Sequence, residues 1–247
     1  MSKERINQVV RNNAVWCDTI CQIHGKPGKF MDTIWVNQHE TPRFYPNAVT
    51  LSRTEESTEQ MEWIQYLAKS GLSGEWGVKD SFCKLDLAPL GFRLLFQAEW
   101  IYRSASQPRP DVNIVGVRWV KLDRQSDLAD WEAAWNGDSA KKTRQKQPPI
   151  FLPSLLANED IAVIAAYQEY QIVAGAIANR AVDSVGLTNI FTPTANAENF
   201  LCSCIAKVID IFPDLPIVGY ETGQEVTKLQ TFNFEPLGSL RIWVREI

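Results

Sequence analysis

Two residues at the end of the apolar run "LPIVGYE", Tyr220 and Glu221, stand where a strand would hand over to a loop. A carboxylate there can take the proton from an attacking ammonium, directly or through water. Glu221 can equally open the next helix, where the positive end of the helix dipole favours it. Asn189, inside "SVGLTNIF", can hydrogen-bond a reacting carbonyl or an acceptor, or fill an ordinary strand-edge role. Between these stretches lies "TPTANAEN", Thr192 to Asn199, which joins a strand to a long amphipathic helix. Strand–turn–helix passages of this kind hold phosphates on unpaired backbone N–H groups, helped by the helix dipole. Glycine normally lets the anion approach, yet this turn contains none. A helix start that caps itself is therefore the competing reading.

Other reactive residue types give less. Cys17, Cys21 and His24 have the helical spacing of zinc ligands, but no fourth ligand is evident. Both cysteines also share an apolar stripe with Val10, Ala14 and Ile20, which makes them core residues, and no metal site is expected. Cys202 and Cys204 face different ways on a helix. The two histidines, His24 and His39, leave few options for a serine triad, and no Gly-x-Ser-x-Gly elbow, Walker loop or Gly-x-Gly-x-x-Gly occurs. "KKTRQK" reads as a solvated loop able to steer an anion. Lys79 and Asp80 in "VKDSF", with His39, Arg43 and Tyr45 in "HETPRFYP", are polar and aromatic clusters that could line a pocket.

The chain has 247 residues, 45% apolar and 22% charged, with nine Trp and eleven Phe. This is ample for a large core. A net charge of −4 argues against a nucleic-acid binder, which needs a basic face. Five cysteines in a chain of this length do not suggest a disulfide framework. The polar opening "MSKERINQVV" and the lack of any long apolar run predict no signal peptide and no membrane span. The expected compartment is the cytoplasm.

These residues need a scaffold. Ile6, Val9, Val10, Ala14, Cys17, Ile20 and Cys21 recur at helical spacing until "GKPG" stops them. Short extended runs "TIWVN" and "NAVTLS" follow, then a helix over "STEQMEWIQYLAKSG", with Ser57 or Thr58 as cap. "EWGVKDSF" and "FRLLFQAEWIYR" read as strands, and "SQPRPDVN" as a linker, giving domains over 1–105 and 114–247. The second half opens with "IVGVRWVKL" and a helix from about Leu128, capped by Ser126 or Asp127. "IAVIAAY" and "IVAGAIA" have hairpin spacing, and Leu201, Cys204, Ile205, Val208, Ile209 and Phe212 make an apolar helical stripe. The order β-α-β-β-β-α-β-α-β is an α+β layer fold with a mixed β-sheet flanked by helices. "APLGFRLLFQAEW" and "EPLGSLRIWV" echo each other, as two tandem lobes would. The aromatic strand "LRIWV" could pair across a homodimer.

From Val115 to Ile247 this order, with the ending "LQTFNFEPLGSLRIWV", resembles the GCN5-related N-acetyltransferase (GNAT) family. The first half resembles a reduced lobe of the same kind. The resemblance implies transfer of an acetyl or other acyl group from acetyl-CoA to an amine of a small molecule or protein. It places the pantetheine arm between "SVGLTNIF" and "LPIVGYE", which would splay apart. It also places the coenzyme along Ile190, Phe191 and Thr192, with the pyrophosphate on the amides of Thr194, Ala195, Asn196, Ala197, Glu198 and Asn199. The acceptor would meet Glu221, Tyr220 and Asn189. The chain departs from the family twice. Pro193, Asn196 and Glu198 occupy the positions of its Gln/Arg-x-x-Gly-x-Gly/Ala turn. Asn196 can adopt glycine-like angles, whereas the Glu198 carboxylate would repel a pyrophosphate. With Asn233-Phe234 as the family's Gly-Phe step, Leu229 stands where a tyrosine would protonate the leaving thiolate. A general acid contributes about 10²–10⁴-fold, so a slow enzyme is expected. A ligand-binding module without turnover, or a purely structural half, are the alternatives.

Overall fold

The computed structural model describes residues 2–53, 58–72, 74–137 and 148–245. The chain begins with α1 (Ser2–Ile23), whose buried face carries the expected stripe from Ile6 to Cys21. It ends where Gly25 turns to φ 71° and the Lys26 amide donates to the Cys21 carbonyl at 3.0 Å. Then come β1 (Lys29–Phe30), β2 (Ile34–Val36), β3 (Ala48–Thr50), α2 (Thr58–Lys69), β4 (Trp76–Asp80) and β5 (Arg93–Arg103). The second half supplies β6 (Val117–Lys121), α3 (Gln125–Asn136), β7 (Ile161–Gln168), β8 (Gln171–Ala181) and β9 (Ser184–Phe191). It continues with α4 (Ala197–Ile211), β10 (Ile217–Glu221), α5 (Gly223–Gln230) and β11 (Glu235–Arg245). Parallel and antiparallel pairs both occur, so the fold is α+β with mixed strands flanked by helices.

Two compact units divide the chain. The first comprises Met1–Tyr102, Tyr220–Thr227 and Glu235–Ile247; the second comprises Arg103–Gly219 and Lys228–Phe234. The passage at Tyr102/Arg103 falls just before the proline-bearing stretch read as a linker. The last strand, expected with the second half, lies instead in the first unit. There β11 sits between β4 and β5 and is antiparallel to both. The order in that unit is β1-β2-β3-β4-β11-β5, over a core that includes Ile34, Ile64, Trp76 and Trp243. The two Pro-Leu-Gly strands of the sequence echo therefore pair with each other. Over Arg241–Val244 both edges of β11 are occupied, by β4 and by β5.

In the second unit β6, β7, β8 and β9 form an antiparallel meander, and β10 adds in parallel to β9. The β8–β9 turn places Val182 and Asp183 both at φ 52°, the geometry of a tight two-residue hairpin. The order of elements from β6 to β11 is the one the sequence predicts. One cap is corrected. α3 begins at Gln125 without a side-chain cap, and the Ser126 hydroxyl donates to Asp127 at 3.1 Å instead. α2 begins at Thr58; Ser57 and the "KKTRQK" tract lie outside the described residues.

Candidate active site

β9 is the element that matters most in the second unit. Its sequence alternates apolar residues toward a buried hairpin, and its first half is buried while Thr188 to Phe191 are half-exposed. Between the pairs Gly175↔Phe191 and Ile177↔Thr188, β8 has one residue and β9 has two. That is a β-bulge at Asn189 and Ile190, with Asn189 at φ 53° and its side-chain oxygen accepting from the Thr188 hydroxyl at 3.1 Å. A bulge leaves one residue unpaired and re-aims the strand. Asn189 is thus more than a strand-edge residue. The bulge had one sequence cue, an asparagine inside an otherwise apolar strand.

On its other edge β9 pairs with β10 only at Val185↔Ile217 and Gly186↔Val218, preceded by the Val185 amide donating to Pro216 at 2.9 Å. From Leu187 onward no β10 partner occurs among the described residues. The ladder between the two strands ends after these two pairs. Behind this segment Phe191 packs edge-on against Trp131 at 5.4 Å, and Trp131 donates its indole N–H to Ile164 at 2.9 Å. Gly175 makes the packing possible, since a Cβ there would lie 2.3 Å from Trp131 Nε1.

The open stretch of β9 runs into the mouth of α4. Asn196, the N-cap, adopts φ 60° and ψ 26°, the left-handed angles that the sequence reading allowed it. Its side chain makes no capping hydrogen bond; its carbonyl accepts from Phe200 N at 3.2 Å. Thr194, Ala195, Asn196, Glu198 and Asn199 are exposed, and Thr192 and Ala197 are half-buried. Glu198 makes no side-chain hydrogen bond or ion pair among the described residues. The Asn196 side chain therefore does not cap the helix. Asn233 is also left-handed, at φ 65°. Leu229 is buried at 2% exposure and has no ionisable group to offer.

Tyr220 and Glu221 belong to the first unit. Burial pushes the Glu221 carboxyl from 4.5 up to about 7, with the nearby Glu225 charge adding to the rise and the Thr222 amide opposing it. Tyr220 sets its ring edge-on to Trp100 at 5.6 Å and lies 4.5 Å from the Lys79 ammonium. Of the first-half clusters, Lys79 and Tyr45 each lie near Tyr220. Asp80 turns to accept from the amides of Phe82, Lys84 and Leu85. The His39 backbone is held by Asn37 and Asn47, and Arg43 covers the Phe44 ring. Cys17 and Cys21 are core residues.

The first unit has a parallel pair of its own, β3 with β4, matched at Ala48↔Val78 and Val49↔Lys79. Just past this ladder the Ser81 amide donates to the Thr50 hydroxyl at 2.8 Å, which bridges the two strand ends. The buried Gln60 amide ties Thr33 to Ser52, at 3.0 Å each, at the end of the β2–β3 pair.

No family model matches the chain, and no curated protein does. Solved structures do resemble it. A GCN5-related N-acetyltransferase from Kribbella flavida is 11% identical, with a TM-score of 0.64 over 98% of this chain and 95% of its own. A GNAT-family protein from Novosphingobium aromaticivorans is 9% identical, with a TM-score of 0.55 over 94% and 96%. A tandem GNAT protein from the clavulanic acid biosynthesis pathway is 11% identical, with a TM-score of 0.53 over 86% and 78%. The chain has the GNAT fold. At such identities the likeness extends to architecture alone.

Proposed function

We propose that the protein is an acyltransferase that moves an acetyl or related acyl group from acetyl-CoA to an amine. The observation that carries this reading is the β9–β10 ladder, which stops after two pairs while β9 continues through its bulge to the uncapped mouth of α4. Free strand amides and carbonyls would pair with the pantetheine arm as an added strand does. The amides from Thr194 to Asn199 would receive the pyrophosphate. The β3–β4 pair, bridged past its ladder by the Ser81–Thr50 hydrogen bond, supports a single coenzyme seat per chain.

In the reaction, the acceptor amine attacks the thioester carbonyl, and the C–S bond breaks as the new amide forms. Glu221, at the end of β10, takes the proton from the ammonium; a carboxyl titrating near neutrality is matched to that task. Strand amides at the bulge polarise the carbonyl. Leu229 donates nothing, so the thiolate leaves unassisted, and turnover is slow.

A non-catalytic coenzyme-binding module is the second reading, favoured by Leu229 and by Glu198 at the helix mouth. Thermal unfolding with acetyl-CoA tests the seat. Stabilisation of about 2.7 kcal/mol is expected at a hundredfold excess over Kd, and no shift with acetyl- or longer acyl-CoAs removes both readings. Thiol release over an amine panel then separates turnover from binding.

A further inference from the structure

Asn189 is the strained point of β9, and its side chain is only half engaged. The backbone stands at φ 53°, left-handed within a strand, and the ladder to β8 is fixed on either side of it at Ile177↔Thr188 and Gly175↔Phe191. Phe191 also packs against Trp131, so the flanks of the bulge are held and the angle with them. Glycine meets a positive φ at lower cost than asparagine, because it has no Cβ. What asparagine adds is an amide. The Thr188 hydroxyl donates to Asn189 Oδ1 at 3.1 Å, and the Asn189 side chain makes no other hydrogen bond among the described residues. The oxygen end of the amide is therefore taken, while both hydrogens on Nδ2 remain able to donate. Thr188 and Asn189 are half-buried, so these donors are partly screened from water without being closed off.

Distance decides what the Nδ2 hydrogens meet. On the coenzyme reading, the pyrophosphate lies on the amides that begin at Thr194. Asn189 stands five residues earlier, a reach of about 16 Å in extended chain. The pantetheine arm has about thirteen bonds from its sulfur to the nearer phosphorus, which also span about 16 Å when extended. An arm laid along β9 as an added strand therefore brings its thioester level with the bulge, and not with the buried start of the strand.

We infer that the Asn189 amide donates from Nδ2 to the carbonyl oxygen of the acyl group, and that Thr188 is the positioning residue that keeps Nδ2, rather than Oδ1, turned to it. This role rests on the coenzyme reading above and adds to it a side-chain donor specific to the acyl group. As the amine nitrogen bonds to the carbonyl carbon, the π pair of the C=O moves onto oxygen, where the Asn189 N–H groups meet it. When that pair returns, the C–S bond breaks and the thiolate leaves with its electrons, while Glu221 holds the ammonium proton. Donation strengthens as charge collects on oxygen, so it favours the transition state over the bound thioester.

Coenzyme A lacks the acyl carbonyl, so its comparison with acetyl-CoA isolates the contact. In titration calorimetry without any amine, Asn189→Gly should weaken acetyl-CoA by about 3- to 10-fold and leave coenzyme A unchanged. Glycine tolerates the left-handed angle, so this variant should fold as the parent does. Asn189→Asp has nearly the same shape but, when ionised, presents only acceptors, and it should lose at least as much. In thiol release with an amine, both variants should lower kcat by about 10²–10³-fold, a larger drop than in binding. Thr188→Val should reproduce part of both losses, and Thr188→Ser, which keeps the hydroxyl, should not. Equal weakening of the two ligands by Asn189→Gly, or of neither, overturns the inference while the coenzyme seat stands. A Thr188→Val protein with the parent's preference for acetyl-CoA removes the positioning role. Should neither ligand bind the parent protein, the coenzyme reading falls and this inference falls with it.

Discussion

Replacing Glu221 with Gln separates the cost of burying this carboxyl from its proposed use. The shift from 4.5 to about 7 corresponds to about 3 kcal/mol between the two protonation states. The folded protein binds the proton more tightly than the unfolded chain, so stability is full below the unfolded value and falls as pH rises through the folded one. Above about pH 8 the parent protein carries the whole penalty of a charged, half-buried carboxylate beside Glu225. Glu221→Gln removes it. The variant should therefore gain about 2–3 kcal/mol over the parent at about pH 8 and nothing at about pH 4. With about 2–4 °C per kcal/mol for a chain of this size, calorimetry should resolve the gap. The same variant should lose about 10²–10⁴-fold in acyl transfer, and the parent's kcat/KM should rise with pH through about 7. A variant no more stable than the parent at alkaline pH, or a gap that persists in acid, refutes the burial argument. Lost stability with unchanged activity refutes the base.

Three further outcomes follow from the second unit. Glu198→Gln should tighten coenzyme A by about fivefold, worth about 1 kcal/mol for one surface charge, with the difference fading in high salt; unchanged affinity by calorimetry would show that the turn never meets phosphates. Asn196→Ala should cost about 1 kcal/mol in urea melts through its left-handed angles, and Asn196→Gly should not. Gly175→Ala should cost about 1–3 kcal/mol and weaken the coenzyme, because the new Cβ would lie 2.8 Å from the Ile164 carbonyl oxygen, which cannot swing aside.

Much of this molecule can be read from local pattern. The stripes of α1 and α4, the hairpin spacing of β7 and β8, and the left-handed asparagines at 196 and 233 are properties of short segments. What could not be read is pairing between distant segments. "LRIWV" has the same alternation whether it lies at an edge or between β4 and β5, since period two says nothing about the partner. The β9 bulge adds one residue to an apolar run, and only Asn189 hints at it. Lys79 looked like one polar residue among several; its burial depends on Asn13 in α1 and Tyr220 in β10, far away in sequence.

The position of β11 has a consequence for biosynthesis. Its ladder joins Arg93–Tyr102 to Glu235–Val244, so the sheet of the first unit is missing an interior member until residues 235–244 have been made. At about 5–20 residues per second, the nascent chain spends several seconds with β4 and β5 unbridged and their edges open to misassembly. A ribosome stalled shortly before residue 235 would hold a second unit able to form its meander beside a first unit that cannot close.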